Sequence, residues 1–473
     1  MNSNVKKFIQ NFSYTFIANV LSIVISTVLI LIVPRFIGVD EYGYWQLYIF
    51  YTSYISYMSL GLTDGAYLRF GGYKYNDLPK NVFVSQYWFL VVFDIVVNIS
   101  IASFYNLISI NTNKTIVVLL TSITGILVVP RSLLTFMLQA TNRIKEFSVI
   151  IILERLIYFI LIIIFLLNGI RKFEYLIYAD IIGKFCSVLY SIFVCKELVF
   201  GKFASFKISV KEIWLNISVG IKLLVANFVS MLIIGIVRFC IEKNWSIETF
   251  GKISLTLSIS NMLMLFINAM AVILFPALRR TSENHLPAIY KMMRTIIMIP
   301  LIGLLIFYYP AKIILVAWLP QYAESLTYMA LLFPMCLYES KMLLLINTYL
   351  KTLRKEKLLM EINLITVGFS VILTSISVFI INNFNFTILS IIILLAFRCI
   401  TAELCLSKML KIQVKKDIIL ELFMTIIFIA VSWYLNISVA LIIYFIAYVI
   451  YLIIKKNDAV YLWKNIRSLL KTN

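Results

Sequence analysis

Several basic side chains fall inside apolar stretches long enough to cross a bilayer: Arg131, Arg155, Lys184, Lys222, Lys341 and Arg398. A charge at the bilayer centre costs about 2.5–3.5 kcal/mol on insertion scales, so such residues face a bundle interior and mark a pathway. The chemistry they offer is anion binding, and the fork of an arginine matches two phosphate oxygens at once. Their sequence neighbours separate them. Arg155 adjoins Glu154 near the end of a span, where a long side chain can snorkel to the interface. Lys184 follows Asp180 by four residues, the favourable order for an ion pair on one helix. Lys341 has Glu339 two residues away, a spacing that does not face the two together. Arg398 precedes Glu403 by five and can pair with it loosely. Lys222 has no acid within a turn, and Arg131 follows Pro130 with none nearby. Lys222 and Arg131 are therefore the first anion-binding candidates, with Lys341 and Arg398 behind them.

Other groups offer different chemistry. Asp94 stands alone between Phe93 and Ile95, where a carboxylate is costly when ionised. It is a candidate for coupling to a proton or sodium gradient, and pairing with a base on another helix is the structural alternative. Tyr44, Tyr48, Tyr51 and Tyr54 are spaced by four, three and three, which places them on one face of a helix. Sugar rings stack on such faces, so Tyr48, Tyr51 and Tyr54 are candidate glycan contacts. The plainer reading is an interfacial aromatic belt at Tyr44 and Trp45 with packing below it. Arg35 and Arg238 close two corresponding apolar segments and are candidate gate or exit residues, or ordinary helix-end charges.

The elements that must position these groups are apolar helices. Hydrophobic residues make up 62% of the 473 residues and charged ones 14%, with mean hydropathy +0.97. A soluble domain is about a quarter charged, so this composition points to an all-α polytopic membrane protein. Lys6 and Lys7 precede an apolar run too long for a signal-peptide core and without a small-residue cleavage site, which reads as a retained first span. Fourteen segments are expected to cross the membrane. The first seven are 12–33, 44–61, 82–106, 115–139, 148–168, 173–194 and 213–240. The second seven are 250–275, 293–310, 324–350, 358–381, 386–407, 418–434 and 437–454. Pro34 is expected to stop the first, and the ninth is broken at Pro300 and ends at Pro310.

Loop charge sets the orientation. Clusters at Lys196, Lys202, Lys207 and Lys211, at Arg279, Arg280, Lys291 and Arg294, at Lys351, Arg354, Lys355 and Lys357, and at Lys408, Lys411, Lys415 and Lys416 all fall on one side. The positive-inside rule makes that side cytoplasmic, with both termini there. It also accounts for the net charge of +20 through anionic lipid headgroups, with no nucleic acid partner. The longest loop, 195–212, is basic and central, as a link between two lobes would be. The expected division is a lobe over 1–200, a second over 201–410, and two further helices with a basic tail over 411–473. The cysteines show no C-x-x-C spacing and there is a single histidine, His285, so no metal or other cofactor is implied. Nucleotide-binding motifs are absent from the sequence, and the loops are short and poor in paired carboxylates, which argues against an enzyme.

Two motifs carry a resemblance. PRFIGVDEYG at 34–43 follows the first apolar segment, and GLTDGAYLRFGG occupies 61–72. A weaker echo, Arg238-Phe239 followed by Phe250-Gly251, recurs some two hundred residues later, as a repeated half would. The pattern resembles the polysaccharide-biosynthesis branch of the multidrug/oligosaccharidyl-lipid/polysaccharide (MOP) exporter superfamily, and within it the Wzx-type oligosaccharide flippases of bacterial capsule and O-antigen synthesis. The resemblance implies twelve to fourteen helices in two pseudo-symmetric lobes around a central cavity. It implies transfer of an undecaprenyl-pyrophosphate-linked oligosaccharide from the cytoplasmic to the outer leaflet of the bacterial plasma membrane by alternating access. Membrane lipids, and the polymerase and chain-length enzymes of the same pathway, are the partners it suggests. The competing readings are a drug or cation exporter of the same superfamily, whose cavity would be lined by acids, and a membrane-embedded polysaccharide polymerase, which would need a large outer loop.

Overall fold

In hydrocarbon every backbone donor and acceptor must be satisfied within its own segment, and a run of apolar residues does this as a helix. The computed structural model describes residues 3–279 and 285–458, and among them the regular elements are all helical. Arg280 and the tail from residue 459 onward lie outside the described residues. The chain divides into two compact units, Met1–Phe228 and Val229–Asn473.

The first unit holds α1 (Ser3–Phe36), α2 (Val39–Thr52), α3 (Leu62–Phe70), α4 (Lys80–Ile108) and α5 (Thr112–Ala140). It continues with α6 (Ile144–Leu167), α7 (Phe173–Val194), the single turn α8 (Lys196–Val199) and the first part of α9 (Phe206–Asn244). Helix α5 sits at its centre, touching α2, α3, α4, α6 and α7. Leu133, Leu134, Met137 and Leu138 of α5 pack there with Leu62 and Phe70 of α3 and with Phe83 and Leu90 of α4. Helical spacing assigns the faces: Val92, Val96 and Ile99 of α4 are exposed, while Asp94 and Asn98 turn inward. Asp40 and Glu41 open α2, and Glu41 Oε2 accepts a 2.7 Å hydrogen bond from the Phe173 N–H at the start of α7.

The second unit holds the rest of α9, α10 (Ile247–Arg279), α11 (Leu286–Leu304), α12 (Tyr308–Trp318), and the short α13 (Met329–Leu332), α14 (Met335–Lys341) and α15 (Thr348–Thr352). It ends with α16 (Glu356–Ser375), α17 (Phe384–Met409), α18 (Lys415–Tyr434) and α19 (Ile437–Ile454). Tyr308, Tyr309, Phe333, Phe428 and Tyr444 form an aromatic core whose ring centroids approach to 5.1 Å. Tyr444 donates to the Ile302 carbonyl at 2.9 Å, and Tyr309 meets Ser432 Oγ at 3.0 Å.

Twelve helices among the described residues are long and apolar enough to cross a membrane. The segment expected over 44–61 is not one of them. Helix α2 stops at Thr52, a 3-10 turn covers Ile55–Ser59, and Leu60 and Gly61 take positive φ of 52° and 81° before α3 begins. Tertiary contact breaks it: Gly61 lies so close to α9 that a Cβ there would sit 2.6 Å from the Ile221 nitrogen. Proline is a weaker stop than expected. Helix α1 runs through Pro34 to Phe36, and the helical run from Leu286 passes Pro310 to end at Trp318, with a 3-10 turn at Leu305–Phe307. A proline removes one donor and bends a helix, but the apolar segment continues beyond it and stays helical.

Candidate functional site

Each unit carries a charged network inside its helices. In the first, Arg131 of α5 pairs with Glu154 of α6 and donates to Ser187 of α7. Lys184 pairs with Asp180 on α7 and lies 3.9 Å from Glu154. Tyr48 of α2 closes the set, donating to Asp180 and meeting Thr124 Oγ1 of α5 at 2.8 Å. Two bases thus face two acids, and the hydroxyls satisfy remaining lone pairs, as buried ions require.

The second unit is more fully enclosed. Glu403 of α17 is 0% exposed and accepts from Arg294 Nε of α11 at 2.7 Å, from Tyr290 OH at 3.1 Å and from Lys341 of α14. Lys341 also reaches Glu421 of α18 at 2.6 Å, and Arg294 reaches Glu421 at 2.6 Å and Asp417 at 3.2 Å. Lys455, just beyond α19, pairs with Asp417 and lies 2.8 Å from Asp458. Lys341 is followed at once by a π-helical turn, Met342–Asn347, a local widening that helices often place at functional positions.

Several expectations change against this geometry. Arg131 has an acid partner after all, Glu154, 23 residues on and on another helix. Glu154 pairs with it rather than with its neighbour Arg155. Arg398 meets Glu339 at 3.5 Å, Asn363 at 2.9 Å and Ser230 at 2.9 Å, rather than Glu403. Arg294, grouped by sequence with a loop cluster, is buried at 3% exposure. Asp94 finds no base: its Oδ1 accepts from Asn98 Nδ2 at 2.8 Å, and its Oδ2 has no partner among the described residues. The tyrosine ladder breaks. Tyr48 is buried, Tyr51 is half-buried, and Tyr54 lies beyond the end of α2, edge-on to Phe50 at 5.3 Å and to Phe228 at 6.3 Å. Arg35 is exposed in the last turn of α1, whereas Arg238 is half-buried within α9, 3.1 Å from Ser254 Oγ and 5.4 Å from the Phe250 ring. Lys222 is exposed on α9 and enters no ion pair among the described residues. It takes no part in either network among the described residues.

Sequence reasoning missed Glu154, Arg294 and Glu421 as network members. The only signal was a charged residue inside or beside an apolar run, since each partner lies on a helix far along the chain.

No protein-family model matches the sequence, and no curated protein matches it. The fold is nevertheless similar to that of solved membrane transporters. One such structure, the inward-facing conformation of a multidrug resistance MATE family transporter, superposes with a TM-score of 0.63 at 10% identity, covering 83% of this chain and 98% of the other. The lipid II flippase MurJ in an inward closed conformation gives a TM-score of 0.63 at 14% identity, covering 95% of this chain and 99% of the other. A MATE structure in complex with MaD3S gives 0.54 at 10% identity, over 83% and 93%. At these identities the likeness is one of fold.

Proposed function

We propose that the protein is a flippase for an undecaprenyl-pyrophosphate-linked oligosaccharide, carrying the headgroup from the cytoplasmic to the outer leaflet by alternating access. Its place would be the bacterial plasma membrane, with both termini in the cytoplasm. The observation that carries this reading is Lys222. The acids Glu154, Asp180, Glu403 and Glu421 are neutralised by bases packed against them, whereas this lysine is exposed on a long apolar helix with no counter-ion among the described residues. A free cation at such a position invites an anionic cargo such as a pyrophosphate. A cationic drug would need the reverse, and Asp94, an acid inside a span with no base against it among the described residues, is fully buried. The likeness in fold to MurJ, a lipid II flippase, adds support.

Within this reading Arg131, Lys341 and Arg398 hold the helices that carry the pathway, because acids already occupy their heads. Tyr51 and Tyr54 are half-buried, whereas Tyr48 is engaged with Asp180, so the first two are the candidates for a sugar ring; Arg35 and Arg238 serve entry or exit, and Asp94 is the residue for ion coupling. Lys222→Ala is expected to cut surface polysaccharide at least tenfold at matched membrane levels, with lipid-linked units accumulating in the cytoplasmic leaflet. Lys222→Arg should retain most export. Unchanged export in Lys222→Ala would remove Lys222 from the pathway. A deletion strain with intact polysaccharide and raised sensitivity to cationic drugs would favour the exporter instead.

A further inference from the structure

We propose that the second unit carries a separate pocket for a phosphate-bearing anion, the headgroup of an anionic phospholipid, where α11, α17 and α18 end together. This goes beyond the transport reading and does not depend on it. A cavity of about 960 Å³ opens there, and Lys291, Lys408, Lys411, Lys415 and Lys416 all line it. None of these five lysines enters an ion pair among the described residues, in contrast to the buried network beneath. The two acids on the wall, Asp417 and Asp458, are already engaged by Lys455, and Asp417 by Arg294 as well.

Five ammonium groups around one concavity repel one another, and an anion seated among them removes that cost. The local fold concentrates the charge. Helix α17 ends at Met409 and α18 begins at Lys415, so the connecting loop brings Lys408, Lys411 and Lys415 to one rim. Lys411 takes a positive φ of 53° to make this turn. The start of α18 has no side-chain cap, which leaves its first amides and the positive end of its dipole turned toward the same region. Arg294, 3% exposed and held in place by Glu403 and Glu421, forms part of the wall.

Position and lining select a lipid over a free phosphate. The pocket lies at helix ends, where the length of a span sets the headgroup layer. Met292, Ile412 and Val414 share the wall with the lysines, so the pocket offers both charge and apolar contact to an amphiphile. Basic pockets between spans on the side of positive loop charge suit anionic headgroups for these reasons.

The test uses the purified full chain in a neutral detergent, stripped of lipid. Binding is read by native mass spectrometry and by thermal unfolding. Phosphatidylglycerol, cardiolipin, phosphatidylcholine and inorganic pyrophosphate are added separately. Two variants with equal charge loss are compared: Lys408→Ala/Lys411→Ala/Lys415→Ala in the pocket, and Lys351→Ala/Lys355→Ala/Lys357→Ala on another loop. The expected result is that anionic lipids bind and raise the melting temperature while phosphatidylcholine does not. Affinity should fall about tenfold in the pocket variant, remain unchanged in the loop variant, and weaken with salt. Equal loss in both variants would mean diffuse surface charge and overturn the pocket. Pyrophosphate stabilising the wild type while both anionic lipids fail would overturn the lipid as occupant and assign the site to a soluble phosphate.

Discussion

Glu403→Ala should destabilise the second unit by about 3–5 kcal/mol, because it leaves Arg294 and Lys341 buried with half their counter-charge gone. Glu403 is 0% exposed, and three groups converge on it, from Arg294, Tyr290 and Lys341. Water cannot replace them: Lys341 is 2% exposed and Arg294 3%. Thermal unfolding of the purified protein in detergent would read the loss as a large fall in melting temperature. The contrast is Lys357→Ala, whose side chain is 86% exposed and 3.9 Å from Glu361, a surface pair worth about 0–1 kcal/mol. A double change, Lys341→Met with Glu403→Gln, removes a charge of each sign and should cost less than the two single changes summed. Additive losses in the double variant would show that the two residues act independently and would sink this account.

The same network marks where sequence reading succeeds and where it stops. Apolar spans were legible because hydrophobicity over about twenty residues is a local property. The all-helical polytopic fold followed from that. The partners of the buried charges were not legible, since Arg294 and Glu403 are 109 residues apart and nothing in either segment names the other. Arg294 illustrates the error that results. It lies near basic loop residues, so it was grouped with them, although it is the inward-facing member of α11 while Lys291 is exposed. Prolines misled in the opposite direction: Pro34 and Pro310 looked like stops, but a helix in an apolar setting runs past a single missing donor. The break after α2 was invisible because its cause is another helix.

That cause carries the second large effect. Gly61 and Gly65, four residues apart on the turn into α3, face Gly220 and Asn216 on α9 with no room for a side chain. A Cβ on Gly65 would fall 1.8 Å from the Asn216 carbonyl oxygen, and one on Gly220 would fall 1.9 Å from the Gly61 carbonyl oxygen and 2.4 Å from the Gly65 nitrogen. The atoms in the way are backbone, so no rotamer change relieves them. Such small-residue seams let two helices meet at backbone contact. Polar groups clamp the crossing: Arg69 donates to Asn216 at 2.6 Å and pairs with Glu212 at 2.9 Å, and Asn216 donates to Gln86 at 3.1 Å. Gly220→Ala is therefore expected to cost about 3 kcal/mol, the upper end of overpacking. Gly368→Ala, in α16 with nothing within 4 Å, should be neutral or stabilise by about 0.5–1 kcal/mol through helix propensity. The seam also fixes Lys222, two residues beyond Gly220 on the same helix. If the protein is the flippase proposed above, Gly220→Ala should lower the melting temperature and transport together, while Lys222→Ala lowers transport alone. A Gly220→Ala protein with wild-type melting and wild-type export would mean the helices separate at no cost, and the seam would then position nothing.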